Sequence, residues 1–256
     1  MSIYRETLQS EKFYGRVAPR YDAIFERAIL SERRLTQLTR QYMDGRRVLD
    51  LACGNGRWLD RFAPREYVGL DLNAPMIAEA RRRYPAARRS HTRFILGDMT
   101  ALPFPDASFE GVMSMFGAMG HLPPEGQERM FREVHRVLAP GGVAIFTNGN
   151  LWSPFALPVT LSGSRVRLEG VRFKVHSTTP RRFRRQLAGF EILALESYDY
   201  SYLPIAPIKL TACLLGRDYR EWYGGLMGVL DNCRHIPTLR WFGKQLTAVC
   251  KRADFN

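Results

Sequence analysis

Short apolar runs alternate with amphipathic stretches over residues 47–148 of the chain. The runs predict five strands, at residues 47–52, 66–72, 93–97, 108–116 and 143–147. Ahead of the last strand, Met130, Val134 and Val137 share one helical face, and the pattern predicts a helix over 124–138. Strands that alternate with helices favour right-handed crossover connections, and therefore a parallel sheet that is covered on both faces.

The sequence on either side of this stretch predicts further elements. Residues 1–44 have the pattern of amphipathic helices, with Ser31 as a candidate helix cap. The later pattern predicts a hairpin that turns at Glu169–Gly170, a helix from Pro180, and strands at 190–195 and 245–251. The long segment between those last two strands is rich in Tyr, Leu, Gly and Pro, which is typical of a lid or binding element.

Together these elements predict an α/β fold. We expect a Rossmann-like, seven-stranded and mostly parallel sheet with helices on both faces. The chain divides into an N-terminal helical cover at 1–44, a ligand-binding core at 45–148, and a segment at 149–256 that holds the lid and the final strands of the same sheet. Open α/β sheets bind ligands at the carboxyl ends of their strands, so the site is expected there.

The composition is that of a folded protein from a reducing compartment. Of the 256 residues 45% are apolar, enough for a sizeable core, and no apolar stretch reaches the ~20 residues of a membrane span. The N-terminus lacks the pattern of a secretory signal. The four cysteines lie far apart without a CxxC pair, which argues against a disulfide framework or a zinc site. We therefore expect a cytoplasmic protein without a metal.

The net charge is strongly positive. There are 38 lysines and arginines against 25 acidic residues, a balance of +13, and arginines cluster at 81–83, 88–89 and 181–185. A basic surface is typical of a protein with an anionic partner such as nucleic acid or a lipid surface. It is equally typical of an arginine-rich face that is only solvated, and we favour this second interpretation.

The segment Val48–Arg57 contains the most informative motif, a short strand followed by Gly54 and Gly56. Glycines after a strand let a ligand approach the backbone closely. Acids follow the next two strands. Asp71 is placed to accept both hydrogen bonds of a ribose diol, and Asp98 to accept one from an exocyclic amine such as that of adenine.

Asp50, at the end of the strand before the glycine loop, indicates which kind of nucleotide cofactor the loop would bind. Its carboxylate would repel a pyrophosphate, and Leu59 stands where a dinucleotide motif has its third glycine. S-adenosylmethionine (SAM) has no phosphate and carries a cationic amine and a sulfonium, so an acid stabilises it. We therefore predict SAM as cofactor and S-adenosylhomocysteine (SAH) as its product. A NAD-dependent oxidoreductase is the alternative function, and hydrogen bonds to nearby backbone amides are the alternative role of Asp50.

Five segments in order resemble the successive motifs of class I SAM-dependent methyltransferases, most closely the branch that acts on small molecules, quinones and lipids. These segments are Val48–Gly56, Gly69–Asp71, Gly97–Phe104, Ser108–Val112 and Arg136–Gly142. Val17–Asp22 also resembles the start of that branch. The resemblance does not extend to the substrate-binding part of the chain. It implies the fold predicted above and the transfer of a methyl group from SAM.

The resemblance implies a role for each residue of the glycine loop and its acids. Gly54 and Gly56 would pack against the methionine part of SAM, with Asp50 close by. Asp71 would hold the ribose hydroxyls, and Asp98 would lie beside the adenine.

Further cofactor contacts are implied outside the glycine loop. Met99 would flank the adenine, and Met115 or Phe116 would lie near the methionine carboxylate or the methyl group. Tyr14 and Tyr21 would cover the site from the N-terminal helices. Ordinary packing of an amphipathic helix is the alternative for these two tyrosines.

His121, shortly after the fourth strand, is the candidate catalytic base. Related small-molecule methyltransferases often carry a histidine near this position. Methyl transfer is an in-line displacement that mainly requires alignment and the exclusion of water, and a base helps an acceptor that must lose a proton. A loop histidine that shapes the pocket or caps the next helix is the alternative.

The substrate is predicted to be a small, apolar or aromatic metabolite. After the fourth strand the sequence reads Ser114–Met119, without the Asn/Asp-Pro-Pro-aromatic motif of nucleic-acid amine methyltransferases. Trp152 and Trp222 are the candidate substrate-binding residues of the C-terminal segment, and filling of the core is their alternative role. We do not expect a nucleic-acid partner, although an RNA-binding methyltransferase stays an alternative. No oligomeric state is predicted.

The apolar segment Leu203–Leu215 contains a single lysine. It suits a buried lid, which we favour, or peripheral contact with an anionic lipid surface beside the arginine clusters.

Overall fold

The computed structural model describes residues 2–24, 32–85, 90–153, 156, 165–168, 170–199, 211, 214–216, 229 and 241–253. Its helices are α1 (Ser2–Val17), α2 (Tyr21–Ile24), α3 (Arg33–Met43), α4 (Ala74–Arg83), α5 (Pro124–Val137) and α6 (Pro180–Gln186), with 3₁₀ turns at Ala18–Arg20, Arg57–Arg61 and Ala118–His121. Its strands are β1 (Arg47–Leu51), β2 (Glu66–Asp71), β3 (Thr92–Leu96), β4 (Phe109–Ser114), β5 (Leu138–Gly149), β6 (Arg165–Leu168), β7 (Val171–Lys174), β8 (Phe190–Tyr198) and β9 (Gln245–Arg252).

Seven of these strands form one sheet in the order β3-β2-β1-β4-β5-β9-β8. The five strands from β3 to β5 run parallel, and β9 is antiparallel to both β5 and β8. The predicted α/β fold with a seven-stranded, mostly parallel sheet is therefore confirmed. Strands β6 and β7 form a hairpin apart from this sheet, with Gly170 in the left-handed region (φ 78°) at its turn.

Alternate side chains of the sheet pack against helices on its two faces. In β5, Ala144 and Phe146 belong to a buried cluster that includes Met130 of α5. Val143 and Ile145 of the same strand belong to a second cluster with side chains of α3 and α4. Because both faces are covered, the strand is apolar at consecutive positions, which is why it was visible as an unbroken run in the sequence.

The N-terminal helix α1 lies over the edge of the sheet where β2 ends. Its Phe13 is buried in a small cluster with Met76 of α4 and Phe173 of β7. Asn73 caps α4 by accepting the amide hydrogen of Met76, and its Nδ2 donates to the carbonyl of Glu11 in α1 at 2.7 Å. The helical cover is thus attached directly behind the end of β2.

The fifth strand differs most from its predicted extent. The strand expected at 143–147 already begins at Leu138, because Leu138 pairs with Phe109 of β4 and a bulge follows this pair. Ser31 lies outside the described residues. Of the segment Leu203–Leu215, the described leucines Leu214 and Leu215 are exposed, and its lid and membrane roles stay predictions. Within the described part of the chain no helix is both long and apolar enough to cross a bilayer.

Candidate active site

A cavity lies where β1, β2 and β4 end, beneath the N-terminal helices. The chain moves to opposite sides of β1 at this point, since β2 and β4 are its two neighbours, and such a switch point is where open α/β sheets bind ligands. The predicted site residues that line the cavity are Tyr14, Tyr21, Asp50, Gly54, Asp71, Asp98, Met99, Met115, Phe116 and His121. The structure therefore brings the cover, the glycine loop and the strand ends around one space.

The glycine loop after β1 has left-handed backbone at Ala52, Gly54 and Gly56 (φ 54°, 56° and 73°). Gly54 borders the cavity, and a Cβ added there would meet no atom within 4 Å, so its backbone is open to a ligand. Gly56 does not line the cavity. A Cβ there would lie 2.8 Å from the ring of Phe94, so this glycine admits the packing of β3 behind the loop, and its contact with a cofactor stays a prediction.

Asp71 ends β2 and ties the glycine loop to the start of α4. Its Oδ2 accepts the amide hydrogen of Gly54 and its Oδ1 that of Asn73, both at 2.8 Å. Burial raises the pKa of Asp71, and the hydrogen bonds from backbone amides oppose that change. Each carboxylate oxygen has more than one acceptor position, so Asp71 can hold the loop and still accept hydrogen bonds from a diol.

Asp50 is 2% exposed, and its Oδ2 accepts a hydrogen bond from the Tyr67 hydroxyl at 2.6 Å. Its partner is therefore a side chain, whereas the alternative interpretation expected backbone amides. Burial raises the pKa of Asp50 to about 7, the bond from Tyr67 opposes this, and the neighbouring Asp71 carboxylate adds to it. A cation in the cavity would relieve that repulsion and stabilise the charged form.

Strands β3 and β4 contribute the wall on the other sides. The Oδ1 of Asp98 accepts from the amide and the hydroxyl of Thr100, at 2.8 and 2.9 Å, which fixes the carboxylate within its own turn. Phe116 follows β4 with φ 57°, a conformation that a bulky side chain rarely adopts. Such strain costs roughly 1–3 kcal/mol and clusters at functional sites. It places the Phe116 ring edge-on to Trp58, with 4.9 Å between centroids.

A buried ion pair beside the cavity was not predicted from the sequence. Arg57 is 7% exposed and donates from Nη2 to Oε1 of Glu32 at 2.7 Å, and its guanidinium carbon lies 4.0 Å from the centroid of the Phe116 ring. Asn55 likewise donates to Oδ1 of Asp22 at 3.1 Å. These pairs join the glycine loop to the helical cover. Their partners stand 25 and 33 positions apart, so no local pattern indicates them.

His121 closes the 3₁₀ turn after β4 and lines the cavity. Its Nε2 lies 3.0 Å from the hydroxyl oxygen of Tyr14, and the two rings meet edge to face. Burial lowers the pKa of His121 to about 4, with a smaller contribution from His176. The imidazole is therefore neutral at neutral pH, which is the state required of a base.

Of the two predicted substrate residues the structure describes only Trp152, which is not part of this wall. Trp152 is 47% exposed and does not line the cavity, and Trp222 lies outside the described residues. An aromatic residue in a loop has no periodicity that would indicate which way it faces. Among the described residues no group of histidines, cysteines and acids is arranged to hold a metal ion.

Comparison with known proteins identifies the domain that contributes most of the cavity wall. A profile of a methyltransferase domain matches residues 48–142. The chain is 38% identical over 138 residues to the demethylmenaquinone methyltransferase of Thermus thermophilus, an alignment that covers 50% of this chain and 60% of that protein. This chain carries a class I SAM-dependent methyltransferase domain. The fatty-acid O-methyltransferase of Mycolicibacterium smegmatis is 40% identical over 110 residues, covering 41% of this chain and 38% of that protein.

The chain spans about half the length of the curated relatives it matches. Solved structures are similar over more of it. The methyltransferase in complex with the Haloferax volcanii Trm112 methyltransferase activator superposes with a TM-score of 0.65 at 20% identity, covering 93% of this chain and 95% of that one. The DhpI–SAH complex superposes with a TM-score of 0.60 at 20% identity, covering 98% of both chains. At this identity the likeness supports the fold alone.

The charged groups in the cavity of the methyltransferase domain fit SAM, the cofactor of its family, better than they fit a dinucleotide. Asp50 places a buried carboxylate and Asp71 a half-buried one beside the open backbone of Gly54. A pyrophosphate would be repelled by both acids, whereas a sulfonium and an ammonium group are stabilised by them. The chemistry of the cavity and the family match therefore agree, and both argue against the oxidoreductase alternative.

We expect SAM to bind more weakly as the pH falls below 7. The free Asp50 carboxyl has a pKa of about 7, so it takes up a proton in that range, and a bound cation lowers its pKa. Binding near pH 7 should therefore release a proton, which calorimetric titrations in buffers of different ionisation enthalpy measure. In Asp50→Asn this release should disappear and the affinity should no longer depend on pH here. An affinity of the unaltered chain that is equal on both sides of pH 7 would contradict the prediction.

Proposed function

We propose that this chain transfers the methyl group of SAM to a small, apolar or aromatic metabolite. The supporting observation is the division of the cavity wall. Acids line it at the glycine loop, and aromatic rings line it on the helical cover and beneath it. These rings belong to Tyr14, Tyr21, Trp58 and Phe116. The acidic part suits a cationic cofactor, and the aromatic part suits an apolar acceptor.

Each part of the wall has a task in this proposal. Asp50, Asp71 and the backbone of Gly54 hold SAM, while Asp98 and Met99 border the adenine. When bound, SAM supplies an electrophilic methyl group on a sulfonium sulfur. The helical cover excludes water, and the aromatic wall orients the acceptor in line, an alignment that lowers the barrier by an amount on the order of several kcal/mol.

Two of the relatives' names are consistent with a small apolar acceptor, a demethylmenaquinone methyltransferase and a fatty-acid O-methyltransferase. A third, malonyl-[acyl-carrier protein] O-methyltransferase, names a polar acyl group on a carrier protein. The methyltransferase profile matches residues 48–142 and does not include the C-terminal segment. The substrate class therefore rests on the cavity wall of this chain.

The proposal predicts that SAH binds the chain and that NADH does not. Calorimetric titration of the full chain with each ligand tests this, and tight NADH binding without a response to SAH would reverse the assignment. Isotope-labelled SAM and a panel of hydroquinones, phenols and fatty acids then test methyl transfer. Labelled product from panel members would support the proposed acceptor class. Salt-sensitive RNA binding with no turnover of any panel member would favour the RNA-binding alternative.

A further inference from the structure

The contact between Tyr14 and His121 joins residues 107 positions apart at the cavity wall. The hydroxyl oxygen lies 3.0 Å from Nε2, and the rings are 5.3 Å apart at 85°. The other ring nitrogen, Nδ1, is buried and has no hydrogen-bond partner in the described part of the chain. Whether Tyr14 or His121 donates this one hydrogen bond therefore decides which ring nitrogen of His121 carries the proton.

Backbone contacts hold both residues in place. Helix α1, which carries Tyr14, is anchored through the carbonyl of Glu11 to the side chain that caps α4. The turn that ends at His121 is held by the carbonyl of Gly120, which accepts the amide hydrogen of His176 at 2.7 Å. The distance between the Tyr14 hydroxyl and the His121 imidazole is therefore set by the positions of α1 and of the turn after β4.

The orientation of the Tyr14 hydroxyl decides what the contact can do. Burial raises the pKa of Tyr14 and lowers that of His121, so both are neutral at neutral pH. If Tyr14 donates to Nε2, its oxygen presents lone pairs to the cavity that it lines. In the opposite direction its proton would face the cavity. An acceptor that must lose a proton needs a lone pair there, so the relay uses the arrangement in which Tyr14 donates.

We propose that Tyr14 is the catalytic residue that meets the acceptor, and that His121 is the base behind it. This inference rests on the proposed methyl transfer. The attacking atom of the acceptor gives its proton to the Tyr14 oxygen, while the hydroxyl proton of Tyr14 passes to Nε2 of His121. The attacking lone pair forms the bond to the methyl carbon, and the electron pair of the broken carbon–sulfur bond stays on sulfur.

This relay conserves the charge of the site. One positive charge is on sulfur before the step and on the His121 imidazolium after it, and the imidazolium then loses its proton to solvent. Direct proton uptake at Nδ1 would require the other tautomer, which the Tyr14 hydrogen bond disfavours.

The tautomer of His121 can be measured without SAM or an acceptor. Nitrogen-15 NMR of the histidine-labelled full chain, with His121 assigned by its loss in His121→Asn, should show Nδ1 protonated and Nε2 unprotonated. Free neutral histidine prefers the proton on Nε2, and Tyr14→Phe should return His121 to that form. A proton on Nε2 in the unaltered chain would overturn the relay, whatever the enzymatic activity.

Turnover gives the second test, with an acceptor found in the panel. Tyr14→Phe and His121→Asn should each lower kcat by about 10²–10⁴-fold, and the double variant should be no slower than the single variants, because the two groups act in series. Tyr42→Phe, a matched change on α3 outside the cavity, should keep its activity. A fully active Tyr14→Phe beside an impaired His121→Asn would overturn the relay and leave methyl transfer intact. Failure of SAH to bind would instead refute the proposed function.

Discussion

Replacement of Arg57 by methionine is expected to lower the free energy of unfolding by about 3–5 kcal/mol, because it leaves the buried Glu32 without its partner. Arg61 lies 3.6 Å from the same carboxylate but is far more exposed, so it does not replace Arg57. Burial already raises the pKa of Glu32 to about 7 against the pull of Arg57, and the variant should take up a proton there. Urea denaturation of both proteins measures the change, provided that the denaturant slopes agree.

Two further variants show whether the stability lost in Arg57→Met arises from the burial of the Glu32 carboxylate. Arg57→Met combined with Glu32→Leu replaces the pair by apolar side chains and should recover most of the lost stability. Arg65→Met removes an exposed pair with Glu110 and should cost less than about 1 kcal/mol. If Arg57→Met cost no more than Arg65→Met, the Arg57–Glu32 pair would behave as a solvated one and the prediction would be wrong.

Asp71→Ala is expected to weaken SAH binding by at least about a hundredfold. The proposed ribose contacts are two charge-assisted hydrogen bonds, each worth roughly 1.5–3 kcal/mol, and a loss of about 1.4 kcal/mol is tenfold in affinity. The same carboxylate holds the amides of Gly54 and Asn73, so the variant should also lose stability, but by less than it loses in binding. Calorimetry and urea denaturation on one preparation give both quantities.

Matched variants separate the two roles of Asp71. Asp71→Asn keeps one carbonyl oxygen for a backbone amide and should lose binding while it retains more stability than Asp71→Ala. Asp106→Ala removes an exposed carboxylate that contacts Arg136 and should leave SAH affinity unchanged. Equal losses of binding and folding free energy in Asp71→Ala would show that the residue only holds the glycine loop.

The sheet and the floor of the cavity could be predicted because both follow from local patterns. Asp50, Asp71 and Asp98 stand at or just after the ends of apolar runs. Since parallel strands end at the same edge of a sheet, these acids were expected to meet without knowledge of any contact between them. The structure brings all three to the same cavity.

The contacts of the helical cover could not be predicted in the same way. The pairs Tyr14–His121 and Glu32–Arg57 depend on how the helical cover packs against the rest of the molecule. That packing is made by buried side chains such as Phe13 of α1, which contacts α4 and the β6–β7 hairpin. In the sequence, Tyr14 and His121 were separate candidates, and no spacing relates residues so far apart. Side-chain pairing across elements is tertiary information, which a hydrophobic period does not contain.

The position of β9 sets an order for assembly of the molecule. Strand β9 lies between β5 and β8, and among the described strands it is the only neighbour of β8. As the chain leaves the ribosome, the five parallel strands can pair with one another before β9, the partner of β8, has been synthesised. The nascent protein can therefore build its binding edge first and close the far side of the sheet last.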